Sequence, residues 1–389
     1  MQHIRSLFVF NALSMTAMMA FIPVIGPIIR QLGLAEWHAG LVVTVAGVCW
    51  MLMSRVWGKL SDRKGRKPIL VIASAGYVIT YLSMAVFLDI ALQYPADLLL
   101  ILLVLIILRG LVGVFYAAIP PVSMALIADV IPPEQRGSYM ARLGAASAVG
   151  MVVGPLLGGL LARDYLILPL YVAAVLPLVG LVWLLTRLPS ASANQEIAGK
   201  TALWDARLRL PALAMLLATS SVITAQMTVG FYAIDRLQLD HNGAARAAGM
   251  AMTAVGITLI VVQGTLSRFR KINSELCLTI GALIAMCGFV LAAFIHSLPG
   301  LVLAYGIMAA GLGMVFPSIQ TITANAVAKT EQGTAAGTIS AVQGLAMVIV
   351  PLVCTALYKI SPETPYLTAA GLLLLLTVVF ITRKRTPAA

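Results

Sequence analysis

Long apolar segments alternate with short polar connections along the whole chain. Each segment has about the 20 residues that an α-helix needs to cross the hydrocarbon layer of a membrane. We place twelve segments at residues 7–29, 38–57, 69–91, 98–128, 138–161, 166–186, 211–234, 244–265, 275–296, 299–327, 334–358 and 365–382. The pattern predicts an all-α integral membrane protein with twelve transmembrane helices.

The composition also indicates that the solvent of this chain is lipid. Of its 389 residues, 61% are hydrophobic and 10% are charged, whereas ordinary soluble domains have about 25% charged residues. The net charge of +12 does not indicate a nucleic-acid partner, because most basic residues lie in alternate connections, on the side that also holds both termini. This bias follows the positive-inside rule and predicts a multi-pass protein of a bacterial inner membrane with both termini in the cytoplasm.

The residue types that carry catalysis or bind metals are sparse and scattered. The four cysteines lie within or at the ends of apolar segments, and the four histidines lie at or near segment ends. They show no metal-ligand spacing, and no paired acidic motif lies inside a segment. The sequence therefore predicts neither an enzyme nor a metal or cofactor site. The expected partners are a small-molecule substrate, protons and membrane lipid, and the expected state is a monomer.

The longest polar stretch, residues 188–210, divides the chain into two halves at 1–187 and 211–389. Its composition predicts a cytoplasmic linker with a short amphipathic helix. The segment that begins at Gly58, GKLSDRKGRKP, returns in part at Gly264 as GTLSRFRK. Internal repeats are typical of secondary transporters, whose substrate site lies near the membrane midplane between the repeats.

The segment at Gly58 resembles the loop signature of the major facilitator superfamily, G-x-L-x-D-R-x-G-R-K, at nearly every defining position. Arg109 resembles the intramembrane arginine of the family's second motif. Residues 150–159 resemble its antiporter motif, although Ala141 replaces an earlier glycine, and residues 22–30 resemble the first helix of the tetracycline and multidrug proton antiporters. The resemblance implies two pseudo-symmetric six-helix bundles that work by alternating access, and the antiporter motif implies export.

Two groups of residues are predicted to control the conformational change, one in the loop signature with an acid after the fourth helix, the other in the fifth helix. The first group is Gly58, Asp62, Arg63, Gly65, Arg66 and Asp129, and the second is Gly150, Gly154, Pro155 and Gly158. We expect Asp129 to pair with Arg66 or Arg63, and these pairs to close the cytoplasmic gate in the outward-open state. The alternatives are a solvated basic loop and an ordinary small-residue packing face.

Proton coupling is assigned to Arg109 and Asp235. An ionised side chain deep in a membrane helix, as Arg109 is, costs at least about 2.5–3.5 kcal/mol, so something must compensate it. The resemblance implies that it faces a watery cavity and hydrogen-bonds backbone carbonyls. Many proton-coupled antiporters of the resembled branch carry an acid in the first helix, and the tetracycline exporters carry another in the third. This chain has Leu13 and Thr80 at those positions. Asp235, at the outer end of the seventh helix, is the best remaining acid. The alternatives are an arginine that ties two helices together and a salt-bridged interface carboxylate.

The predicted substrate cavity is lined from the first, fourth, seventh and tenth helices by Asn11, Met15, Met18, Tyr116, Gln226, Met227, Phe316 and Gln320. Methionine suits cargo of varied shape, although methionine stripes also occur in ordinary helix packing. A cavity with Arg109 and no deep acid should be electropositive. The sequence thus predicts export of a small amphipathic drug or metabolite, including an anionic one such as a siderophore, in exchange for protons. A proton symporter or a facilitative carrier for a small metabolite is the alternative.

Overall fold

The chain is helical throughout its described part. The computed structural model describes residues 2–94, 97–163, 165–187, 205–266, 273–327 and 332–382, and these residues contain no strand. The helices are α1 (Gln2–Ala20), α2 (Ile22–Gln31), α3 (Glu36–Lys64), α4 (Arg66–Gln93), α5 (Leu98–Tyr116), α6 (Ile119–Val130), α7 (Pro133–Leu161), α8 (Leu168–Arg187), α9 (Arg209–Asp235), α10 (His241–Leu266), α11 (Ser274–Phe294), α12 (Leu298–Asn325), α13 (Gln332–Tyr358) and α14 (Thr364–Thr382).

These helices form twelve membrane spans. Within the described residues, eleven stretches are long and apolar enough to cross a membrane, and the apolar part of α8, Leu168–Trp183, is a shorter twelfth. Helices α1 and α2 share one span, as do α5 and α6. Each break precedes a proline, Pro23 or Pro120, which lacks the N–H of a continuous helix. The prediction of an all-α protein with twelve membrane helices is confirmed, with α1–α8 in the first bundle and α9–α14 in the second.

The predicted linker, 188–210, lies mostly outside the described residues. Its last part is described and forms a 3₁₀ turn, Ala206–Leu208, which leads directly into α9. The Asp205 carboxylate caps this turn by accepting from the Arg207 backbone N–H at 2.9 Å. Side-chain and backbone hydrogen bonds from Arg207 lower the pKa of the Asp205 carboxyl.

Helix α3 is longer than its apolar pattern predicts and continues to Lys64. Gly58 is therefore a helical residue and not part of a turn. The turn is at Gly65, whose φ of 91° is accessible to glycine but costly for other residues. Its N–H donates to the Ser61 carbonyl at 3.0 Å and ends α3. Half of the loop signature is thus the polar end of a helix.

The two membrane sides are named here by the chain. The terminal side is where α1 begins and α14 ends, and the far side is where α2 ends and α3 begins. On the far side, α3 of the first bundle packs against α13 of the second. A Cβ at Gly40 would overlap Thr355 Oγ1 and the Pro351 carbonyl, and Thr44 Oγ1 donates to the Val348 carbonyl at 2.8 Å. Only glycine at position 40 allows so close an approach.

A second contact between the bundles joins α7 to α10, also in their far halves. Gly159 meets Gly249 backbone to backbone, since a Cβ at Gly159 would lie 2.5 Å from the Gly249 Cα. A Cβ at Gly256, two turns further along α10, would lie 2.5 Å from Val152. Both contacts depend on the small size of glycine.

The faces of α3 and α13 that meet on the far side are apart on the terminal side. Gly58 comes 18 residues after Gly40 and therefore lies on the same face of α3. Among the described residues, nothing lies within 4 Å of a Cβ built there, or of one built at Gly344, seven residues before Pro351 on α13. Among the described residues, the two bundles are therefore closed against each other on the far side, and these faces of α3 and α13 are open on the terminal side.

Candidate functional site

A charged network joins the two bundles at the closed far side. Arg30, at the end of α2, places Nη2 2.7 Å from Asp235 Oδ2 of α9 and 2.5 Å from Glu36 Oε1 of α3. The Tyr358 hydroxyl, at the end of α13, donates to the same Asp235 oxygen at 2.9 Å. The Arg30 and Asp235 side chains are 30% and 24% exposed, so the pair is partly shielded from water. One carboxylate of the second bundle thus holds a cation of the first.

Close backbone packing positions this network. A Cβ at Gly26 of α2 would lie 3.1 Å from the backbone nitrogen of Phe231, and one at Gly230 would be crowded in turn by α2. The two glycines therefore let α2 and α9 approach. Phe231 lies under the Arg30 guanidinium, with 5.8 Å between Cζ and the ring centroid, a distance at which the ring face attracts a cation.

The sequence singles out Asp235 as a proton site but does not identify its partners. The structure places it in an ion pair across the bundle interface, which is the alternative that the sequence leaves open. Arg30, Glu36 and Tyr358 are missing from the predicted site. Arg30 lies in the segment that resembles the antiporter branch, yet nothing local pairs it with an acid 205 residues later.

A second charged cluster lies on the terminal side. Arg66 Nε donates to Asp129 Oδ2 at 2.8 Å, and Nη1 donates to Ser61 Oγ at 2.7 Å and also contacts Asp62. The side chains of Arg66 and Asp129 are 7% and 14% exposed, whereas Asp62 is 56% exposed. The Arg66–Asp129 pair agrees with the pairing expected from the sequence, and Arg63 is exposed.

The members of this cluster belong to α3, α4 and α6 of the first bundle. They are paired while the terminal side is open between the bundles. These pairs join helices of one bundle, and the expectation that they close the gate in the outward-open state concerns the other conformational state and stays a prediction. In this arrangement they hold α3, α4 and α6 in a fixed relative orientation.

Asp129→Asn is expected to lower the thermal unfolding midpoint of the purified protein clearly more than Asp62→Asn does. A hydrogen bond to a charged group contributes about 1.5–3 kcal/mol when shielded, whereas an exposed ion pair contributes about 0–1 kcal/mol. Both carboxylates contact the same arginine, so each variant is the matched control of the other. Tryptophan fluorescence during heating measures the midpoints, and equal shifts would contradict the assignment.

The predicted antiporter motif on α7 has two packing faces. Gly150, Gly154 and Gly158 face α1, where added Cβ atoms would lie 2.6–2.7 Å from the carbonyl oxygens of successive α1 turns. Pro155 and Gly159 face α10, and the Pro155 carbonyl lies 2.9 Å from a Cβ built at Gly249. One face of this motif therefore packs α7 against α1 of its own bundle, and the adjacent face packs α7 against α10 of the other bundle.

Arg109 lies in the core of the first bundle and is only 3% exposed. Its guanidinium stacks on Phe21 at 4.1 Å, at the break between α1 and α2, and Tyr77 and Tyr81 are close enough to interact with its charge. Among the described residues, Nε and Nη1 have no hydrogen-bond partner. The structure thus places this cation among aromatic rings, without a carboxylate.

Arg109→Met is expected to raise the thermal unfolding midpoint and to abolish transport. An intramembrane cation costs at least about 2.5–3.5 kcal/mol, and an apolar side chain of similar length removes that cost. Arg55→Met is the matched control, because Arg55 is an exposed arginine of the α3 span. Fluorescence-monitored heating and flux into proteoliposomes measure the two effects. An unchanged or lower midpoint for Arg109→Met would indicate that a partner of the Arg109 guanidinium offsets the cost of burying its charge.

The residues predicted to line one cavity separate into three groups. Asn11, Met15, Met18 and Tyr116 pack where α1 meets α5 and α6, with Asn11 Nδ2 donating to Ser123 Oγ at 2.9 Å and the Tyr116 hydroxyl to Met15 Sδ at 3.1 Å. In the second group, Met227 of α9 packs with Ile223, Ala346 and Cys354 against Val43 of the first bundle, and Gln226 beside it is half-buried.

Phe316 and Gln320 form the third group and line a different space. They face a cavity of about 490 Å³ that also has Gln263 and Cys277 in its wall. That cavity lies between α10, α11 and α12 of the second bundle. The helical spacing predicts correctly that the two residues share a lining, but the structure gives them this side cavity.

The family of the chain follows from comparison with known proteins. The model of the Major Facilitator Superfamily matches residues 7–351 and again 215–389. The chain belongs to the major facilitator superfamily. It is 27% identical to the class H tetracycline resistance protein of Pasteurella multocida over 372 residues, 90% of this chain and 88% of that protein. It is also 27% identical to multidrug resistance protein 1 of Bacillus subtilis over 353 residues, 89% of this chain and 87% of that protein.

Solved structures of superfamily members share the fold. A bacterial homologue of the lysosomal transporter Spinster, inward-facing and occupied, has a TM-score of 0.78 at 13% identity and covers 97% of this chain and 95% of its own. The D-xylose–proton symporter has a TM-score of 0.75 at 16% identity, with 98% of both chains covered. The human organic anion transporter MFSD10 has a TM-score of 0.67 at 20% identity, over 97% of this chain and 98% of its own.

The superfamily assignment establishes the coarse function. The chain is a multi-pass membrane transporter of the major facilitator superfamily, with relatives among bacterial efflux proteins, and it is not an enzyme. The predicted family and the two-bundle architecture are confirmed.

Proposed function

We propose that this transporter exports a small amphipathic drug or metabolite in exchange for protons by alternating access. It works as a monomer in a bacterial inner membrane with both termini in the cytoplasm. The observation that carries the proposal is the one-sided closure of the bundles, with the Arg30–Asp235 pair across the closed side. In alternating access, two rigid bundles meet on one side of the membrane while they part on the other, and the two sides then exchange roles. The one-sided closure corresponds to one of these two states.

With the termini in the cytoplasm, the terminal side is the cytoplasmic side and the structure is the inward-facing state. Outward opening must separate Arg30 from Asp235. A proton on Asp235 removes the negative charge that holds Arg30, so the protonated, empty carrier can pass between the outward- and inward-facing states, which is the step that carries the proton inward. The deprotonated, empty carrier is held inward-facing, and this prevents a futile outward step without cargo or proton. Asp235 thereby couples proton binding to the conformational change, because it lies at the interface between the two bundles.

Closure of the terminal side is assigned to Asp62. It comes 22 residues after Gly40 and so lies on the face of α3 that meets α13 on the far side. Its side chain is 56% exposed despite its contact with Arg66. When the terminal halves meet, Asp62 approaches the beginning of α13 at Gln332, and a helix N-terminus attracts a carboxylate. The Arg66 cluster orients α3 for this contact.

The charge of the open terminal half supports anionic or zwitterionic cargo, such as a siderophore. Lys59 and Arg142 are exposed on the terminal halves of α3 and α7. The buried Arg109, whose Nε and Nη1 have no hydrogen-bond partner among the described residues, adds positive potential from the core of the first bundle. The names of the relatives, tetracycline and multidrug resistance proteins, support amphipathic cargo of moderate size.

The test uses everted membrane vesicles that are energised to an acidic interior, with a dye that reports internal pH. Cationic drugs are added first and carboxylate-rich metabolites second. Dissipation of the pH gradient by members of one set, absent from vesicles without the protein, is the expected result and identifies the charge of the cargo. Cargo movement with protons in the same direction would indicate a symporter, and saturable counterflow without proton movement a facilitative carrier.

A further inference from the structure

The side cavity of the second bundle has the volume of a ligand site. Its volume of about 490 Å³ lies within the range of about 300–1,000 Å³ that is typical of small-molecule pockets. Its wall comes from the last turn of α10, the first turn of α11 and residues 316–321 of α12. The lining residues Gln263, Gln320 and Thr321 are exposed and form a rim, whereas Cys277 and Ser318 are buried and form a floor.

The described lining of this cavity is uncharged and mixes apolar with polar groups. Amides, hydroxyls and one thiol line it together with Leu266 and the ring of Phe316, and no acidic, basic or histidine residue is among the lining residues in the described part of the chain. An ionised ligand would lose hydration there without gaining a counter-charge. The cavity therefore favours a neutral molecule that has both an apolar and a polar part.

The hydrogen bonds that the lining hydroxyls already form determine which hydrogen-bonding groups the polar part of a ligand needs. Ser318 Oγ donates to the Met314 carbonyl at 2.8 Å, and Thr321 Oγ1 donates to the Pro317 carbonyl at 2.9 Å. Each hydroxyl has used its only hydrogen within α12 and can offer a ligand only acceptor lone pairs. A ligand must therefore bring N–H or O–H donors.

The amides at the rim complete the set of contacts. The side chains of Gln263 and Gln320 are not engaged by other described residues, so they can both donate and accept. Phe316 supplies an aromatic face at the same opening. We infer that this cavity is a second ligand site, separate from the space between the bundles, for an uncharged molecule in which an aromatic ring carries an amide or alcohol donor.

The test measures binding to the purified full chain in lipid nanodiscs, without any gradient. The probe is naphthalene-2-carboxamide, followed by its fluorescence, and its N,N-dimethyl derivative is the comparison because it keeps the ring and loses the donors. Saturable binding of the first is expected, with about tenfold weaker binding of the second, since the second lacks both N–H donors. Absence of saturable binding, or equal affinity for the two probes, would overturn the inference.

Substitutions then locate the site. Gln263→Leu with Gln320→Leu, and separately Thr321→Leu, should weaken binding of the carboxamide, about tenfold for the double variant by the same loss of hydrogen bonds. Thr368→Leu is the matched control, because Thr368 is also an exposed helical threonine and donates to the Thr364 carbonyl at 2.8 Å. Unchanged affinity in the cavity variants, or an equal loss in the control, would refute this location. The result is independent of the transport mechanism, because binding is measured without flux.

Discussion

Asp235→Asn is expected to abolish gradient-driven transport while leaving substrate exchange across the membrane intact. The amide cannot ionise, so the pair with Arg30 at 2.7 Å is lost whatever the pH. A shielded hydrogen bond between charged groups contributes about 1.5–3 kcal/mol, and each 1.4 kcal/mol is about a tenfold change in an equilibrium. The far-closed state should therefore lose roughly ten- to hundredfold in population relative to the far-open state.

Two assays in proteoliposomes measure gradient-driven transport and substrate exchange separately. Uptake driven by an imposed pH gradient should fall to the rate of liposomes without protein, and counterflow of labelled substrate against unlabelled substrate should persist. The matched control is Arg236→Gln, because Arg236 pairs with Glu363 within the second bundle only. Loss of both activities in Asp235→Asn would indicate a folding defect or a direct substrate contact, and retention of both would remove Asp235 from proton coupling.

Gly40→Val is expected to trap the protein with its far side open and to eliminate all transport, counterflow included. A Cβ at this position would overlap Thr355 Oγ1 and lie 2.8 Å from the Pro351 backbone carbon. Backbone atoms of α13 cannot move aside as a flexible side chain would, so α3 and α13 must separate. An overpacked contact costs about 1–3 kcal/mol or more, and the far-open arrangement avoids that cost entirely.

Distances between spin labels report the trapped state. Labels at Gln31→Cys and Ile360→Cys, both exposed at far-side helix ends, should move apart in Gly40→Val relative to the unsubstituted background. Gly371→Val is the control, because among the described residues nothing lies within 4 Å of a Cβ built at that glycine of α14. An unchanged label distance together with lost transport would show that Gly40 acts in some way other than far-side closure.

Sequence patterns predict well what depends on neighbouring residues. The apolar segments agree with the observed spans to within a few residues at most ends, because a helix in lipid must satisfy its own backbone hydrogen bonds. The exception is α3, whose polar last turns up to Lys64 carry no apolar pattern. The Arg66–Asp129 pair was also predictable, since both residues lie at adjacent helix ends on one membrane side.

The predicted cavity shows where such patterns fail. Helical spacing identifies which residues share a face of one helix, but not which neighbouring helix that face meets. Tyr116 and Met15 contact each other in the packing of the first bundle, whereas Phe316 and Gln320 face the side cavity. The sequence identifies Arg109 as an intramembrane cation, but its aromatic surroundings come from the break between α1 and α2 and from α4, which the sequence does not bring together.

The sequence by itself determined the number of membrane spans, the membrane environment, the family and the motifs at which the helices turn or pack closely. These properties follow from the length of apolar runs and from local residue types. Only the tertiary structure decided that Asp235 meets Arg30 across the interface, that the bundles close on one side, and that a separate cavity exists in the second bundle. The physical reason is that each of these depends on contacts between helices that are distant in the chain, such as the 205 residues between Arg30 and Asp235.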